Sequence, residues 1–403
     1  MAAERDGPAR GGEKPVRLGI LGLGLAGGIM VPIAGRHARI ELTAAADLSP
    51  SLRERFAQDH PGVAVFSDAA SLMQSDLIDA VYIATPHQFH AEHVLLAVRH
   101  GKHAVVEKPM ALRLDECDRM TEAADAAGLA LIVGHTHGFD PAIARLREWT
   151  RSGEFGRLAM VVMWNYTDFL YRPRRPEELD TALGGGIVYN QLPHQIDVAR
   201  MIAAEPIESV RASLWQLDAT RPTEGCCSAA LHFRSGAVAN LTYSGYDHFD
   251  SDELHGWVSS SGFPKAPRHG AARRALAQAG GGDAELQLRQ TQYGYGSGRS
   301  SGVPSYPPHF GQLIATYERA DVRSTPRGLA VYGDDGVREI AFDPSMSGRT
   351  CVLDELCAAV LDGQAPVHDG AFARSTLHTC LALLRSCAER RELSLSNFHP
   401  HSD

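Results

Sequence analysis

The chain has 403 residues, of which 44% are apolar and 22% are charged, and its formal net charge is −9. This composition is typical of a globular protein, and the length is sufficient for two domains with separate cores. The negative charge argues against nucleic acid or an anionic membrane as a partner, although it leaves room for a small anionic substrate. No apolar run approaches the roughly 20 residues that a membrane-spanning helix needs.

The first 15 residues are charged and rich in Gly and Pro. They lack the apolar centre of a secretion signal, so we predict a disordered leader. The seven cysteines are scattered, and neither they nor the histidines show metal-ligand spacing. We therefore expect free thiols in a reducing cytoplasm and no metal site.

Residues 16–135 alternate short β-rich runs with helical stretches. Predicted strands are Val16–Leu21, Glu41–Ala46, Val63–Phe66, Ala80–Ala84, His103–Glu107 and Ala130–Val133. Predicted helices between them include Leu52–Gln58, His90–Arg99 and Asp115–Ala127. This alternation predicts an α/β domain with a doubly wound parallel sheet, covered by helices on both faces. Ligands of such sheets bind at the carboxyl ends of the strands.

Residues 136–403 show a different pattern, in which strands follow one another through turns. Predicted strands are Leu158–Tyr166, Val210–Leu217, Cys226–Phe233 and Ala237–Tyr243. Predicted helices are Ala142–Thr150, Ile187–Ala203, Val352–Leu361 and Ala371–Glu389. We infer an α+β domain with a mainly antiparallel open sheet. Because an open sheet face needs covering, we also expect a homodimer or homotetramer formed through this sheet.

Residues 256–308 interrupt this second domain with a stretch rich in Gly, Ser, Arg, Pro and Gln. The stretch is longer than the usual connections of compact domains. We interpret it as a solvated excursion with one short helix at Ala271–Ala279. The alternative is a lid, or an arm that reaches a neighbouring subunit.

A glycine turn follows the first predicted strand, with the pattern Gly22-x-Gly24-x-x-Gly27. In Rossmann domains this pattern allows a tight turn, close approach of a pyrophosphate and close packing of the next helix. The helix N-terminus then offers free N–H groups to the phosphates. Asp47 ends the second strand and is placed to bind ribose hydroxyls and to repel a 2′-phosphate, which predicts NAD rather than NADP.

Two further strand ends carry polar residues on the same side of the predicted sheet. They are Thr85-Pro86-His87 and Glu107-Lys108-Pro109. A lysine buried beside a cationic nicotinamide has a lowered pKa, which makes Lys108 a candidate proton acceptor; a structural strand cap is the alternative. The residues that we expect to contact the cofactor are Gly22, Gly24, Leu25, Ala26, Gly27, Asp47, Leu48, Thr85, Pro86, His87, His90, Glu107 and Lys108.

These motifs, followed by the glycine triplet 184–186 and by His194-Gln195-Ile196-Asp197, resemble the glucose–fructose oxidoreductase / inositol dehydrogenase (Gfo/Idh/MocA) family. The resemblance implies a Rossmann domain followed by an α+β domain. It also implies that Lys108 and His194 flank the nicotinamide and act on a substrate hydroxyl.

The chain departs from the family pattern at one position near His194. Many members have an aspartate four residues before the histidine, whereas this chain has Asn190. This change weakens the case for His194 as the base and favours Lys108. Asp197 could orient the imidazole instead, and a purely structural role is equally consistent with the sequence.

An arginine run precedes the glycine triplet and contains Arg172, Arg174 and Arg175. A basic run on its own is usually a solvated surface, but arginines can also bind carboxylates in a bidentate manner. The run and its flanking sequence, and also Pro308-His309-Phe310-Gly311, resemble the phthalate 4,5-cis-dihydrodiol dehydrogenases, a branch of the same family. The residues that we expect to contact substrate are His135, His137, Tyr166, Arg172, Arg174, Arg175, Asn190, Gln191 and His194.

This resemblance implies an NAD-dependent oxidation of a carboxylated arene cis-dihydrodiol to a catechol, with Lys108 or else His194 as the base. The alternatives are a sugar or cyclitol dehydrogenase of the same family, an NAD-dependent glycosidase, and an NAD-binding regulator without turnover.

Overall fold

The computed structural model describes residues 14–297 and 304–400. Its first sheet has six parallel strands in the order β3-β2-β1-β4-β5-β6. The strands are β1 (Val16–Leu21), β2 (Ile40–Ala46), β3 (Ala64–Phe66), β4 (Ala80–Ile83), β5 (His103–Glu107) and β6 (Leu131–Gly134). The order reverses direction between β1 and β4, which creates the switch point where ligands of doubly wound sheets bind.

Five helices connect these strands. They are α1 (Leu25–Ala34), α2 (Pro50–Asp59), α3 (Ala69–Gln74), α4 (His90–Arg99) and α5 (Leu114–Ala127). Local sequence explains their ends: the Ser49 side chain accepts a hydrogen bond at the start of α2, and Gly128 ends α5 in the left-handed conformation. The predicted parallel sheet is confirmed, and α3 is an addition to the predicted helices.

The second sheet has nine strands in the order β14-β13-β12-β11-β7-β10-β9-β8-β15. Its strands are β7 (Leu158–Tyr166), β8 (Ile207–Trp215), β9 (Cys226–Phe233), β10 (Val238–Ser244), β11 (Gln312–Tyr317), β12 (Ala320–Thr325), β13 (Gly328–Gly333), β14 (Gly336–Ala341) and β15 (Leu393–Ser394). Only the β7–β10 pair is parallel among the described strands of this sheet. The predicted α+β domain is therefore confirmed, while the antiparallel meander of four strands β11–β14 is new.

Seven helices belong to the second half of the described chain. They are α6 (Pro141–Ser152), α7 (Gly186–Asn190), α8 (Leu192–Ala203), α9 (Ala271–Ala279), α10 (Asp283–Tyr293), α11 (Gly348–Leu361) and α12 (Gly370–Glu389). Apolar side chains of α6, α8 and α12 pack together with one face of the second sheet. The other face exposes Met160 and Ile314 at its centre.

One predicted helix, Ile187–Ala203, is interrupted in the structure. α7 ends at Asn190 and α8 begins at Leu192. Pro193 has no N–H to donate to the carbonyl four residues earlier, so a continuous helix would lose a hydrogen bond there. The break separates Asn190 from His194, which the sequence placed on one helical face.

Helix α11 belongs to the second half of the chain but packs in the core of the first domain. Its buried side chains Val352 and Leu356 join the cluster that contains Leu18, Ile20 and Val105. The predicted domain boundary at residue 135 lies between the strands of the first sheet and those of the second. The core of the first domain nevertheless includes α11, which lies far beyond that boundary in the chain.

The stretch 256–308 contains the predicted short helix as α9, and most of its described residues are at least partly exposed, but it also packs against the rest of the chain. It forms α9 and α10, and Tyr295 then reaches the first domain of the same chain. The Tyr295 amide donates to the Leu23 carbonyl at 2.9 Å, and its hydroxyl lies 2.7 Å from His60 Nε2. The stretch is thus an arm that folds back onto its own chain beside the glycine turn. Residues 298–303 of the stretch, and residues 1–13 of the predicted leader, lie outside the described residues.

All seven cysteines are unpaired. Among the described residues, no helix combines the length and apolar character that crossing a membrane would require.

Candidate active site

The glycine turn between β1 and α1 has the shape of a phosphate-binding loop. A Cβ at Gly27 would collide with the Gly22 carbonyl oxygen, so the close contact of turn and helix requires glycine there. A Cβ at Gly24, in contrast, would have no protein atom within 4 Å. The turn is therefore tightly packed on the protein side and open on the other, where Leu25 and Ala26 begin α1 without a side-chain cap.

Asp47 at the end of β2 is fixed by backbone groups. Its carboxylate accepts hydrogen bonds from the amides of Leu23 at 2.7 Å and Ser49 at 2.8 Å. The Arg53 guanidinium donates to the carbonyls of Asp47 and Leu48, so it is held against the backbone. Each carboxylate oxygen can accept a further hydrogen bond, so Asp47 beside an open glycine turn fits the ribose hydroxyls of a dinucleotide, and its charge disfavours a 2′-phosphate. The neighbouring Leu48 side chain is 83% exposed.

His90 connects two of the predicted strand ends. Its ring nitrogens lie 2.9 Å from the Pro109 carbonyl and 2.9 Å from the Thr85 carbonyl. The ring is fully buried, and burial lowers its pKa. The predicted cofactor residue His90 therefore positions the Thr85 and Lys108 turns and does not itself line the cavity described next.

A cavity of about 440 Å³ lies at the carboxyl ends of β1, β4 and β5. Residues of both halves of the chain line it, including the first-domain residues Leu25, Ala26, Thr85, His87, Glu107 and Lys108. The second-half residues include Thr136, His137, Asn165, Thr167, Asp168, Arg172, Gln191, His194, Asp252, Ser259, Ser260, Ser261, Lys265, Phe310, Gly311 and Arg349. Its size suits a small ring compound next to a nicotinamide.

Lys108 lies in this cavity at the end of β5. Its ammonium donates to the Asn190 backbone carbonyl at 2.6 Å, which joins the two halves of the site. Burial lowers the pKa of Lys108 to about 8; Glu107 acts in the opposite direction, and the charge of Arg349 adds to the lowering. A substantial fraction of Lys108 is thus neutral near pH 8, as a proton acceptor requires.

His194 also faces the cavity, but its electrostatic surroundings differ. Burial and the charge of Lys108 hold the pKa of His194 well below the usual value. Its ring packs against His137 and Phe310, each with centroids 4.9 Å away, and its Nδ1 atom is buried without a hydrogen-bond partner. His194 is therefore a neutral and weakly basic side chain in this site.

The carboxylates near His194 serve other partners. Asp197 is fully buried and lies 3.1 Å from His368 Nε2, and it also accepts from the Gly138 amide at 3.0 Å. Asp140 lies 2.7 Å from His137 Nδ1. The sequence left two roles open for Asp197, which were to orient the His194 imidazole or to stabilise the fold. Its contacts with His368 and Gly138 favour the second role.

Asn190 turns its side chain away from the cavity. Its amide nitrogen donates to the carbonyls of Gly184 at 3.1 Å and Gly186 at 2.8 Å. The expected substrate contact of this side chain is not supported, because its backbone carbonyl is the group that reaches Lys108. The adjacent Gln191 lines the cavity and accepts a hydrogen bond from the Tyr243 hydroxyl.

Two of the three arginines of the run do not reach the cavity. Arg174 is nearly buried, donates to the Phe169 carbonyl and lies 3.6 Å from Glu178. Arg175 pairs with Glu177 and Glu178. Their predicted contact with substrate carboxylates is not supported, because local partners already use these guanidinium groups.

Arg172 does line the cavity, and its Nε atom bonds to Asp168 at 2.7 Å. The structure therefore retains one arginine of the run at the site, with its charge largely balanced.

Two other expected substrate residues lie elsewhere. His135 is buried, with its ring centroid 5.7 Å from that of His368, and burial lowers its pKa to about 3. Tyr166 faces a separate cavity with Phe249, because side chains alternate along β7. Its strand neighbour Asn165 points into the candidate site instead.

Several cavity residues were not expected from the sequence. Arg349 and the serines 259–261 come from distant parts of the chain and match no local motif. Phe310 lies within a segment, Pro308-His309-Phe310-Gly311, that already resembled the dihydrodiol dehydrogenase branch. That resemblance was the one signal that could have placed any of them at the site.

Within the described part of the chain, no cluster of three or more His, Cys, Asp or Glu side chains could hold a metal ion.

A dinucleotide turn, an adjoining cavity and a half-buried lysine of lowered pKa together define a nicotinamide-dependent oxidoreductase. Comparison with known proteins gives the same class. Residues 16–135 match the model of an oxidoreductase family with an NAD-binding Rossmann fold, and residues 143–257 match the GFO/IDH/MocA C-terminal domain. The chain belongs to the Gfo/Idh/MocA family, and its first domain binds NAD, so both predictions are confirmed.

Individual relatives support this assignment. The chain is 41% identical, over 92% of its length and 94% of the relative, to 1-carboxy-3-chloro-3,4-dihydroxycyclohexa-1,5-diene dehydrogenase of Comamonas testosteroni. A solved structure from Bordetella bronchiseptica RB50 matches with a TM-score of 0.90 and 46% identity, over 94% of this chain and all of the other.

A more distant structure shares the fold. An Agrobacterium radiobacter oxidoreductase, solved with NAD⁺, L-tartaric acid and magnesium, has a TM-score of 0.70 and 16% identity. It covers 95% of this chain and 99% of that one.

The open side of the glycine turn leads to a prediction about cofactor binding. We expect Gly24→Ala to raise the NAD dissociation constant at least about tenfold, because a methyl group would occupy the space of the pyrophosphate. The free protein should lose no more than about 1 kcal/mol of unfolding free energy, because no protein atom meets that methyl group.

Calorimetric NAD titration and urea denaturation measure the two quantities. Gly28→Ala is the matched control, since its Cβ would make only ordinary contacts, at 3.5 Å or more, with Tyr295. Unchanged NAD affinity in Gly24→Ala would contradict the placement of the cofactor.

Proposed function

We propose that the protein oxidises a carboxylated arene cis-dihydrodiol to the corresponding catechol, with NAD as the oxidant. The observation that carries the proposal is Lys108, a half-buried lysine with a pKa of about 8 at the junction of cofactor turn and cavity. The name of the Comamonas relative, a carboxylated cyclohexadiene-diol dehydrogenase, supports the substrate class.

In the proposed reaction, Lys108 accepts the proton of one ring hydroxyl. When bound, the nicotinamide supplies the two-electron oxidising power and accepts the hydrogen of the same carbon as hydride. Lys108 is better suited than His194 to hold the proton, because the pKa of His194 is far below neutrality. His194 lines the same cavity, so its neutral ring can still exchange a hydrogen bond with a substrate hydroxyl.

The product of this step is a ring ketone that still carries the second hydroxyl. Loss of the proton on the hydroxyl-bearing carbon, with protonation of the ketone oxygen, converts it to an aromatic catechol. Aromatisation makes the oxidation difficult to reverse.

The cavity charges favour an anion over a neutral polyol. Four cationic side chains line it, Lys108, Arg172, Lys265 and Arg349, against three carboxylates, Glu107, Asp168 and Asp252, so one cation is in excess. Phthalate 4,5-cis-dihydrodiol, with two carboxylates, is the substrate that the arginine run suggested. Because Arg174 and Arg175 are engaged elsewhere, a diol with a single carboxylate fits the remaining cations equally well.

A substrate panel tests the proposed function. Reduced nicotinamide is followed by absorbance with NAD⁺ and phthalate 4,5-cis-dihydrodiol, a benzoate cis-dihydrodiol, benzene cis-dihydrodiol or myo-inositol. We expect kcat/KM for a carboxylated diol to exceed that for inositol at least about 100-fold, or roughly 2.7 kcal/mol. Preferential oxidation of inositol would favour the cyclitol dehydrogenase alternative, and absence of turnover with every substrate would refute the proposal.

Lys108 gives a second prediction. Below pH 8, kcat/KM should fall about tenfold per pH unit, because the protonated ammonium cannot accept a proton, and it should reach a plateau above that pH. Lys108→Met should lower turnover by a factor on the order of 10²–10⁴ and leave the NAD dissociation constant nearly unchanged.

Lys102→Met is the matched control, because Lys102 binds the Ile78 carbonyl outside the cavity. Turnover and a pH profile like those of the wild type in Lys108→Met would refute the role of this residue.

We further propose that the exposed face of the second sheet forms a homodimer or homotetramer. Val162 is paired with Ile314 across β7 and β11, next to Met160, and Met160 and Ile314 are each 37% exposed. Such a patch marks an interaction surface. Light scattering should give two or four chains per particle and a monomer for Ile314→Asp, whereas a monomeric wild-type protein would contradict this.

We also propose that the protein is located in the cytoplasm, where its unpaired cysteines stay reduced.

A further inference from the structure

Arg349 reaches the candidate site from the start of α11, more than 200 residues beyond Lys108 in the chain. The Ser347 side chain caps this helix by accepting from the Arg349 amide at 3.2 Å. The next position, Gly348, packs so closely that an added Cβ would collide with the Thr136 carbonyl oxygen. The backbone that carries Arg349 is thus held firmly against the turn that carries His137.

Two other cations of the cavity, Lys265 and Arg172, are already balanced by carboxylates. Lys265 bonds to Asp250 and, at 2.6 Å, to Asp252. Arg172 bonds to Asp168 at 2.7 Å. An anionic substrate would have to compete with these short contacts for either side chain.

Arg349 is different, because its carboxylate neighbour Glu107 is 3.7 Å away. That distance exceeds a hydrogen bond, and Glu107 already accepts a hydrogen bond from the Tyr82 hydroxyl. The side chain of Arg349 is 28% exposed, in the cavity wall. Its charge also lowers the pKa of Lys108 and of His194, so it acts on both groups that face the substrate.

We propose that Arg349 binds the carboxylate of the substrate and thereby selects carboxylated diols and orients the ring towards Lys108. This inference rests on the proposed function, since it assigns the carboxylate-binding residue of the same site. A guanidinium can hold a carboxylate through two parallel hydrogen bonds, which fixes the direction of the ring as well as its charge.

The test compares a carboxylated with an uncarboxylated substrate in Arg349→Gln. KM for the benzoate cis-dihydrodiol should rise about 10- to 100-fold, as expected for loss of a charge-assisted hydrogen bond. KM for benzene cis-dihydrodiol should change by less than about threefold, which is within the effect of an ordinary surface substitution. Arg349→Lys should fall between wild type and Arg349→Gln, because it keeps the charge and loses the two-bond geometry.

The loss of Arg349 also removes a charge that lowers the pKa of Lys108, so the acid limb of the pH profile should move to higher pH for both substrates. Measurements on the high-pH plateau separate this shared effect from the carboxylate contact. Arg39→Gln is the matched control: Arg39 pairs with Asp362 at the opposite end of the α11 region and lies outside the cavity. It should leave both KM values unchanged.

A second readout does not depend on turnover. With NADH bound, calorimetry should show weaker binding of 3,4-dihydroxybenzoate to Arg349→Gln by about 10- to 100-fold, with binding of catechol unchanged. Equal losses for both ligands, or a carboxylate-specific loss in Arg172→Gln and not in Arg349→Gln, would overturn the assignment. Wild-type protein that oxidises no dihydrodiol would instead refute the proposed function itself.

Discussion

The hydrogen bond from the Lys108 ammonium to the Asn190 carbonyl is the contact on which the site depends. In a continuous helix this carbonyl would accept from the amide of residue 194, four positions on. Because the helix breaks at Gln191, the His194 amide donates to the Gln191 carbonyl instead. The break thus frees the Asn190 carbonyl for Lys108 and turns His194 towards the same cavity. One backbone irregularity joins the strand end of the first domain to the substrate side of the second.

Burial lowers the pKa of Lys108, and most carboxylates near the site are paired with other side chains. Asp197 is used by His368, whose pKa this pairing raises to about 9 despite burial, and Asp140 is used by His137. The first pair joins α8 to the turn before α12, and the second lies within the turn before α6. The Lys108 ammonium donates to a backbone carbonyl, which stabilises its charge less than a carboxylate would. Burial of the ammonium therefore lowers the pKa of Lys108, and the charge of Glu107 offsets this only in part.

The parts of the site that the sequence predicts are those built within one strand–turn–helix unit. The glycine turn, Asp47 and Lys108 follow directly from the ends of periodic apolar runs, and the family resemblance adds His194. The remaining parts depend on tertiary packing. The sequence shows that Arg174 is basic but not that it packs against Phe169, and it cannot tell which neighbour in β7 faces the cavity. Helix α11 has no local motif, so Arg349 could be found only once that helix was placed.

The arm within residues 256–308 shows why composition alone was misleading there. Glycine and serine enrichment is typical of flexible linkers, but it also permits close packing of backbone. At Gly262 an added Cβ would collide with the Tyr306 carbonyl oxygen, so this glycine serves close contact rather than flexibility. The same arm supplies the serines 259–261 to the cavity and Tyr295 to the glycine turn. Since one packed segment touches both the substrate side and the cofactor side, it belongs to the active site rather than to a linker.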